Sequence, residues 1–137
     1  MKTALDSNIL SSLWSAEASA PQVNQQFVKA RAQGGIVICA PVYVELRVHP
    51  LMSPGLVDKL LSEADIIVEF LLDEAVWRKA AEAFTAYAQR RRRSGSTTPK
   101  RLLPDFIIAA HALLRADSLF TLDPARYERD FPALKLL

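Results

Sequence analysis

Four short runs with almost no polar alternation, at 2–6, 36–40, 66–68 and 119–122, are spaced along the chain by segments whose apolar residues recur at helical intervals. Strands of this kind are apolar toward both faces, the signature of a parallel sheet whose crossover helices cover both sides. The pattern predicts an α/β fold: a three-layer α/β/α sandwich with a mostly parallel central sheet. At 137 residues, the chain is expected to form one domain spanning 1–137.

Between the strands, Ile9, Leu10, Leu13 and Trp14 mark a first helix directly after Asp6, and Pro21 opens a second that Gly34-Gly35 ends. Pro41 begins a short helix through Glu45, and residues 55–64 continue the helical pattern. The longest helix is expected over Asp73 to Arg91, with Val76, Ala80, Ala83, Phe84 and Tyr87 on one apolar face. The basic stretch after it is read as a loop. Pro104 starts another helix with Phe106, Ala110, Leu113 and Leu114 facing inward, and Phe131 to Leu137 is a candidate edge strand.

Half the residues are apolar and 23% are charged, a composition that excludes intrinsic disorder. No apolar stretch approaches the roughly 18 residues of a membrane span, and Asp6 falls where a signal peptide is apolar, so no membrane association is expected and the cytoplasm is the expected compartment. The single Cys39 allows no intrachain disulfide, and with two histidines one subunit cannot close a Cys/His zinc cage. Residues 90–101 hold six basic side chains and no acidic one, which leaves 11 basic against 15 acidic residues elsewhere, a balance of −4. A mildly acidic body thus carries one basic strip that could attract a polyanion.

Ligands of open parallel sheets collect at the carboxyl ends of the strands. Asp6, Glu45, Asp105 and Asp123 all map to that rim, from distant parts of the chain. Like charges at 4 Å repel by about 4 kcal/mol at an effective dielectric near 20, so such a cluster calls for protons or a metal. All-oxygen donors select hard cations, Mg²⁺ or Mn²⁺, which serve phosphodiester hydrolysis by activating water and neutralising phosphate charge. On pattern alone a plainer reading stands beside this one: Asp6 and Asp105 as helix-start residues, Asp123 before Pro124 as a turn, Glu45 as a solvated helix position. The chain has no Gly-rich phosphate loop, no Gly-x-Ser-x-Gly elbow and no His-Glu-x-x-His, which removes the main support for nucleotide-fold and serine-hydrolase readings.

Taken in order, Leu5-Asp6-Ser7-Asn8-Ile9-Leu10, Pro41-Val42-Tyr43-Val44-Glu45-Leu46, Pro104-Asp105-Phe106-Ile107-Ile108-Ala109-Ala110-His111-Ala112 and Leu119-Phe120-Thr121-Leu122-Asp123 resemble the PIN-domain nucleases over nearly the full chain. Within that family, the length and the block after Asp105 look most like the VapC-type ribonuclease toxins of toxin–antitoxin pairs. The resemblance implies a PIN-like parallel-sheet fold, Mg²⁺ or Mn²⁺ held by Asp6, Glu45, Asp105 and Asp123, and hydrolysis of single-stranded or structured RNA, tRNA included. It further implies a small antitoxin partner and a homodimer. Accessory polar roles fall to Asn8 and Thr121, whose side chains could orient a carboxylate, a water or a phosphate. With water as nucleophile, the products would carry a 5′-phosphate and a 3′-hydroxyl.

The arginine run is not implied by the resemblance. Arg90, Arg91, Arg92, Arg93, Lys100 and Arg101 are candidate RNA-phosphate contacts, against the alternative of a solvated helix end. His111, six residues past Asp105, is turned about 240° around the helix from it and is expected to cap or pack. His49 is read as a loop residue, Trp14, Trp77 and Tyr87 as core, and Asp73, Asp117 and Asp130 as turn or helix-start residues. Asp130 could also support the site from behind. The rival functions are a non-catalytic RNA-binding or assembly module, in which the acids are structural, and a related nuclease acting on DNA or in RNA maturation.

Overall fold

The computed structural model describes residues 1–95 and 101–137. Its elements run β1 (Thr3–Leu5), α1 (Ser7–Trp14), α2 (Ala20–Gln33), β2 (Ile36–Cys39), α3 (Ala40–Arg47), α4 (Pro54–Glu63), β3 (Ile66–Glu69), α5 (Glu74–Ser94), α6 (Leu103–Arg115), β4 (Ser118–Phe120) and α7 (Ala125–Glu128). The described strands form one sheet in the order β3-β2-β1-β4, parallel throughout. Every residue of β1, β2 and β4 is buried. Because successive strand residues point to opposite faces, both faces of the inner sheet are covered, and the architecture is the expected α/β/α sandwich. Edge strand β3 is less enclosed, with Ile67 exposed.

The chain leaves β1 toward β2 on one side and reaches β4 on the other, so the sheet's topological switch point lies between β1 and β4, where an open α/β sheet forms its crevice. Asp6 directly follows β1, and its backbone N–H donates to Phe120 O at the end of β4 across 3.0 Å. An aromatic cluster locks the helices behind this crevice. Phe106 of α6 packs on Phe84 and Tyr87 of α5 and on Phe131, with ring centroids 4.9, 5.3 and 6.1 Å apart. Such pairs add about 0.5–1.5 kcal/mol each beyond the area they bury.

Several expectations are corrected. α5 runs past Arg91, so that Arg92 and Arg93 belong to its last turn rather than to a loop, and the helix ends at Gly95 in the left-handed conformation (φ 58°). Arginine is a good helix former, its charge complements the helix C-terminus, and glycine supplies the positive φ that stops the helix. Leu114 is exposed on α6, and Trp77 is 50% exposed, its indole N–H donating to Leu72 O at 3.0 Å rather than entering the core. The tail runs beside β4 but pairs through a single bridge, Leu119 with Leu136, because Phe131 and Leu134 turn inward to fill the core. Cys39 and Tyr87 are buried as expected, and Asp73 caps α5 by accepting from Val76 N–H at 3.2 Å.

Candidate active site

Asp6 is held from three sides at the switch point. Its Oδ1 accepts from Ser7 N–H at 2.8 Å, capping α1, while Oδ2 accepts from the Thr121 hydroxyl at 2.9 Å and the Tyr127 hydroxyl at 2.7 Å. A carboxylate offers about four lone-pair positions, so both on Oδ2 are used and one remains on Oδ1. The helix-cap reading of Asp6 is therefore correct as structure and still leaves the residue able to bind a further group. Burial first, then the Asp6 charge, push the Tyr127 phenol upward, which keeps it a donor.

Thr121, just beyond β4, is the hub of this arrangement. Its hydroxyl donates to Asp6 and accepts from Asn8 Nδ2 at 3.3 Å and Asp123 N–H at 3.1 Å, which uses its one donor and both acceptor positions. Asn8 Oδ1 in turn accepts from Leu122 N–H at 3.2 Å. Asn8 and Thr121 thus clamp the turn after β4 to the start of α1.

Asp105 enters from α6, which carries Pro104 in its first turn and lies against α5; Tyr87 anchors the approach by accepting from Arg101 N–H at 2.6 Å. Glu45 comes from α3, where Val42 and Leu46 are buried and leave Glu45 at the exposed rim. Partial burial raises the Glu45 carboxyl above its ordinary range, the Asp6 and Asp105 charges add to this, and a Ser7 hydrogen bond and Arg126 oppose it. Asp105 is raised by burial and by Asp6, against the pull of Arg126 and Arg101. Asp6, Glu45 and Asp105 therefore share one electrostatic environment, although their hydrogen-bonded neighbours lie on different elements.

Asp123 joins them through a residue that the sequence reading missed. Arg126 Nη1 lies 3.5 Å from Asp105 Oδ1, and its Nε lies 3.3 Å from Asp123 Oδ2, so one guanidinium bridges two candidate metal ligands. Among the described residues, no three acidic, His or Cys side chains stand close enough together to form a ready-made metal cage. Tyr127 was missed as well. Its signal in sequence is faint, a tyrosine four residues after Asp123, whereas Arg126 could have been noticed as a cation at i+3 from that acid.

The basic strip is partly committed elsewhere. Arg90 pairs with the nearly buried Asp130, Arg93 Nε donates to Gln89 O at 3.4 Å, and Arg101 Nη2 donates to Ala125 O at 3.2 Å. Arg92 and Arg93 are exposed at the end of α5, beside Arg91. Lys100 lies outside the described residues. His111 is buried away from the rim, with Nε2 3.6 Å from Glu69 Oε1.

The PIN domain family matches residues 3–132. The chain belongs to the PIN-domain family. This PIN domain also resembles solved structures over its whole length. One is a chain of the VapBC2 complex from Rickettsia felis bound to a DNA fragment from their promoter, at 23% identity and a TM-score of 0.66, covering 100% of this chain and 98% of that one. Another belongs to VapBC-1 from nontypeable Haemophilus influenzae, at 19% identity and a TM-score of 0.65, covering 100% of this chain and 97% of that one. At these identities the likeness establishes the shared fold of the PIN domain. No curated protein sequence matches the chain.

Proposed function

We propose that this PIN domain is a Mg²⁺- or Mn²⁺-dependent endoribonuclease, the toxin of a toxin–antitoxin pair, with Asp6, Glu45, Asp105 and Asp123 as its metal ligands. The observation that carries the reading is the charge of Asp6 bearing on both Glu45 and Asp105 at the switch point, with Asp123 linked to Asp105 through Arg126. The donor set fits the ion: it is all carboxylate oxygen, and Asp6 keeps a lone pair on Oδ1. When bound, Mg²⁺ or Mn²⁺ would supply an activated water and neutralise charge on the scissile phosphate.

The chain's own residues supply orientation. Thr121, Tyr127 and Ser7 fix the Asp6 carboxylate, and Asn8 holds the turn that carries Asp123. Glu45 and Asp105, raised by burial and neighbouring charge, carry their negative charge at a cost that a divalent cation relieves. Attack by water rather than by the ribose 2′-oxygen leaves a 5′-phosphate and a 3′-hydroxyl.

The solved VapBC complexes of like fold support an antitoxin partner, and so does the surface. Val44 on α3 and Val48, which caps its C-terminal end, are exposed; Phe70 packs edge-on against Tyr43 of the same helix at 5.1 Å, and Leu71 is 93% exposed. Apolar side chains grouped in this way suit a partner helix or a second copy of the chain, the proposed homodimer. No described helix is long and apolar enough to cross a membrane.

Incubation of the purified protein with total RNA, in Mn²⁺ or in EDTA, tests the reading when the cut ends are mapped. New 5′-phosphate ends that vanish in EDTA are expected. Cyclic 2′,3′-phosphate ends, or cleavage of DNA in preference to RNA, would overturn it. Copurification from the native operon should yield a small second protein, and light scattering should report a dimer.

A further inference from the structure

Arg126 is a cation that acts on all four candidate ligands. It bridges Asp105 and Asp123 directly, and its charge is felt by Asp6 and Glu45. Its contacts are loose. At 3.3 and 3.5 Å, to two different carboxylates, it makes neither the parallel two-pronged pair nor the short charge-assisted bonds by which arginine holds a single carboxylate firmly. The side chain is 38% exposed, so a path to solvent is open. Directly beside it, Arg101, Asp105, Tyr127, Asp130 and Phe131 line a shallow pocket that Arg126 also borders.

From this arrangement we propose that Arg126 is a built-in counter-cation that competes with the divalent metal for Asp105 and Asp123 and swings off them when the metal binds. The inference rests on the metal-site reading above. A Mg²⁺ ion draws carboxylate oxygens to about 2.0–2.1 Å, and a guanidinium held on Asp105 Oδ1 and Asp123 Oδ2 is a positive charge that opposes a dication at the same two carboxylates. Arg126 thereby keeps repelling carboxylates together in the metal-free protein, and it lowers the site's metal affinity, so that the site fills only when divalent cation is plentiful. Once displaced, the guanidinium is left at the mouth of a site that takes phosphate.

Mn²⁺ binding, followed by the electron-spin signal of free Mn²⁺, reads the competition without any RNA. Arg126→Gln is expected to bind Mn²⁺ about tenfold more tightly than the wild type, the combined worth of two partly exposed ion pairs, while Arg126→Lys stays near the wild type. Equal or weaker binding by Arg126→Gln would overturn the proposal and leave the metal site standing. No Mn²⁺ bound by either protein would overturn both. A second measurement needs no variant: in ¹⁵N NMR of the wild-type protein, Mg²⁺ should shift the Arg126 Nε–H resonance and speed its exchange with water, leaving that of Arg31 unchanged. An Arg126 resonance indifferent to saturating Mg²⁺ would equally sink the idea.

Discussion

The hydroxyl of Tyr127 donates to Asp6 Oδ2 across 2.7 Å, joining two residues 121 positions apart at the buried floor of the candidate site. Together with Thr121 it saturates that oxygen, while Oδ1 accepts from Ser7 N–H and keeps one lone pair. Hydrogen bonds to a charged partner contribute about 1.5–3 kcal/mol, and a buried group left without its partner costs a similar amount. Tyr127→Phe should therefore fold, unfold at lower urea with a loss in that range, and cleave RNA more slowly. Thr121→Val should cost more, since it also strands Asn8 Nδ2 and Asp123 N–H, while Thr121→Ser should remain close to the wild type. Urea titration of the three variants checks the order.

Among the described residues Asp105 pairs with Arg126, and burial disfavours its charge. Asp105→Asn should leave stability within about 1 kcal/mol of the wild type, because the neutral amide escapes that burial cost. Cleavage should fall by on the order of a hundredfold, the scale seen when one charge-stabilising group is removed from a site. A folded Asp105→Asn that cuts RNA at the wild-type rate, with the same Mn²⁺ requirement, would refute the assignment.

His111 sets a pH dependence away from the site. Burial lowers its pKa below 6.5, and the Glu69 carboxylate opposes this. As pH falls through the unfolded value, the unfolded chain takes up a proton that the folded chain refuses, so stability falls on acidification below about pH 6.5. Glu69 acts lower still. Burial would raise it, but Lys2 and His111 together bring it below 4.5, so its stabilisation is present above that value and is lost only as pH falls through its lowered one. Urea midpoints between about pH 7.5 and 5.5 should decline in the wild type and less so in His111→Gln. Parallel curves for the two proteins would remove His111 as the cause.

The exposed end of α5 offers the remaining test of the basic strip. With Arg90 committed to Asp130, the arginines still presented to solvent there include Arg92 and Arg93. If those two contact single-stranded RNA phosphates, replacing both by Gln should reduce the slope of log affinity against log salt by about 1.4. An unchanged slope would return them to a role at the helix end, where their charge complements the α5 dipole.

Much of the architecture is written locally. Unalternating apolar runs such as Ile36-Val37-Ile38-Cys39 require cover on both faces, and prolines at 21, 41 and 104 mark helix starts, so the parallel sandwich and the rim position of Asp6, Glu45, Asp105 and Asp123 follow from residues close in sequence. The extent of α5 is not legible from composition, because arginine, glycine and proline together resemble a loop, although arginine favours a helix until Gly95 ends it. What surrounds each acid was decided only by the tertiary structure. The Tyr127–Asp6 bond, the saturated Thr121 hydroxyl and the Arg126 bridge depend on β1 lying beside β4 in one register, with α7 folded back over their ends. Periodicity reports which face of an element is apolar; it carries no record of which distant polar group that face will meet, because a hydrogen bond is sensitive to tenths of an ångström that packing of the whole core sets.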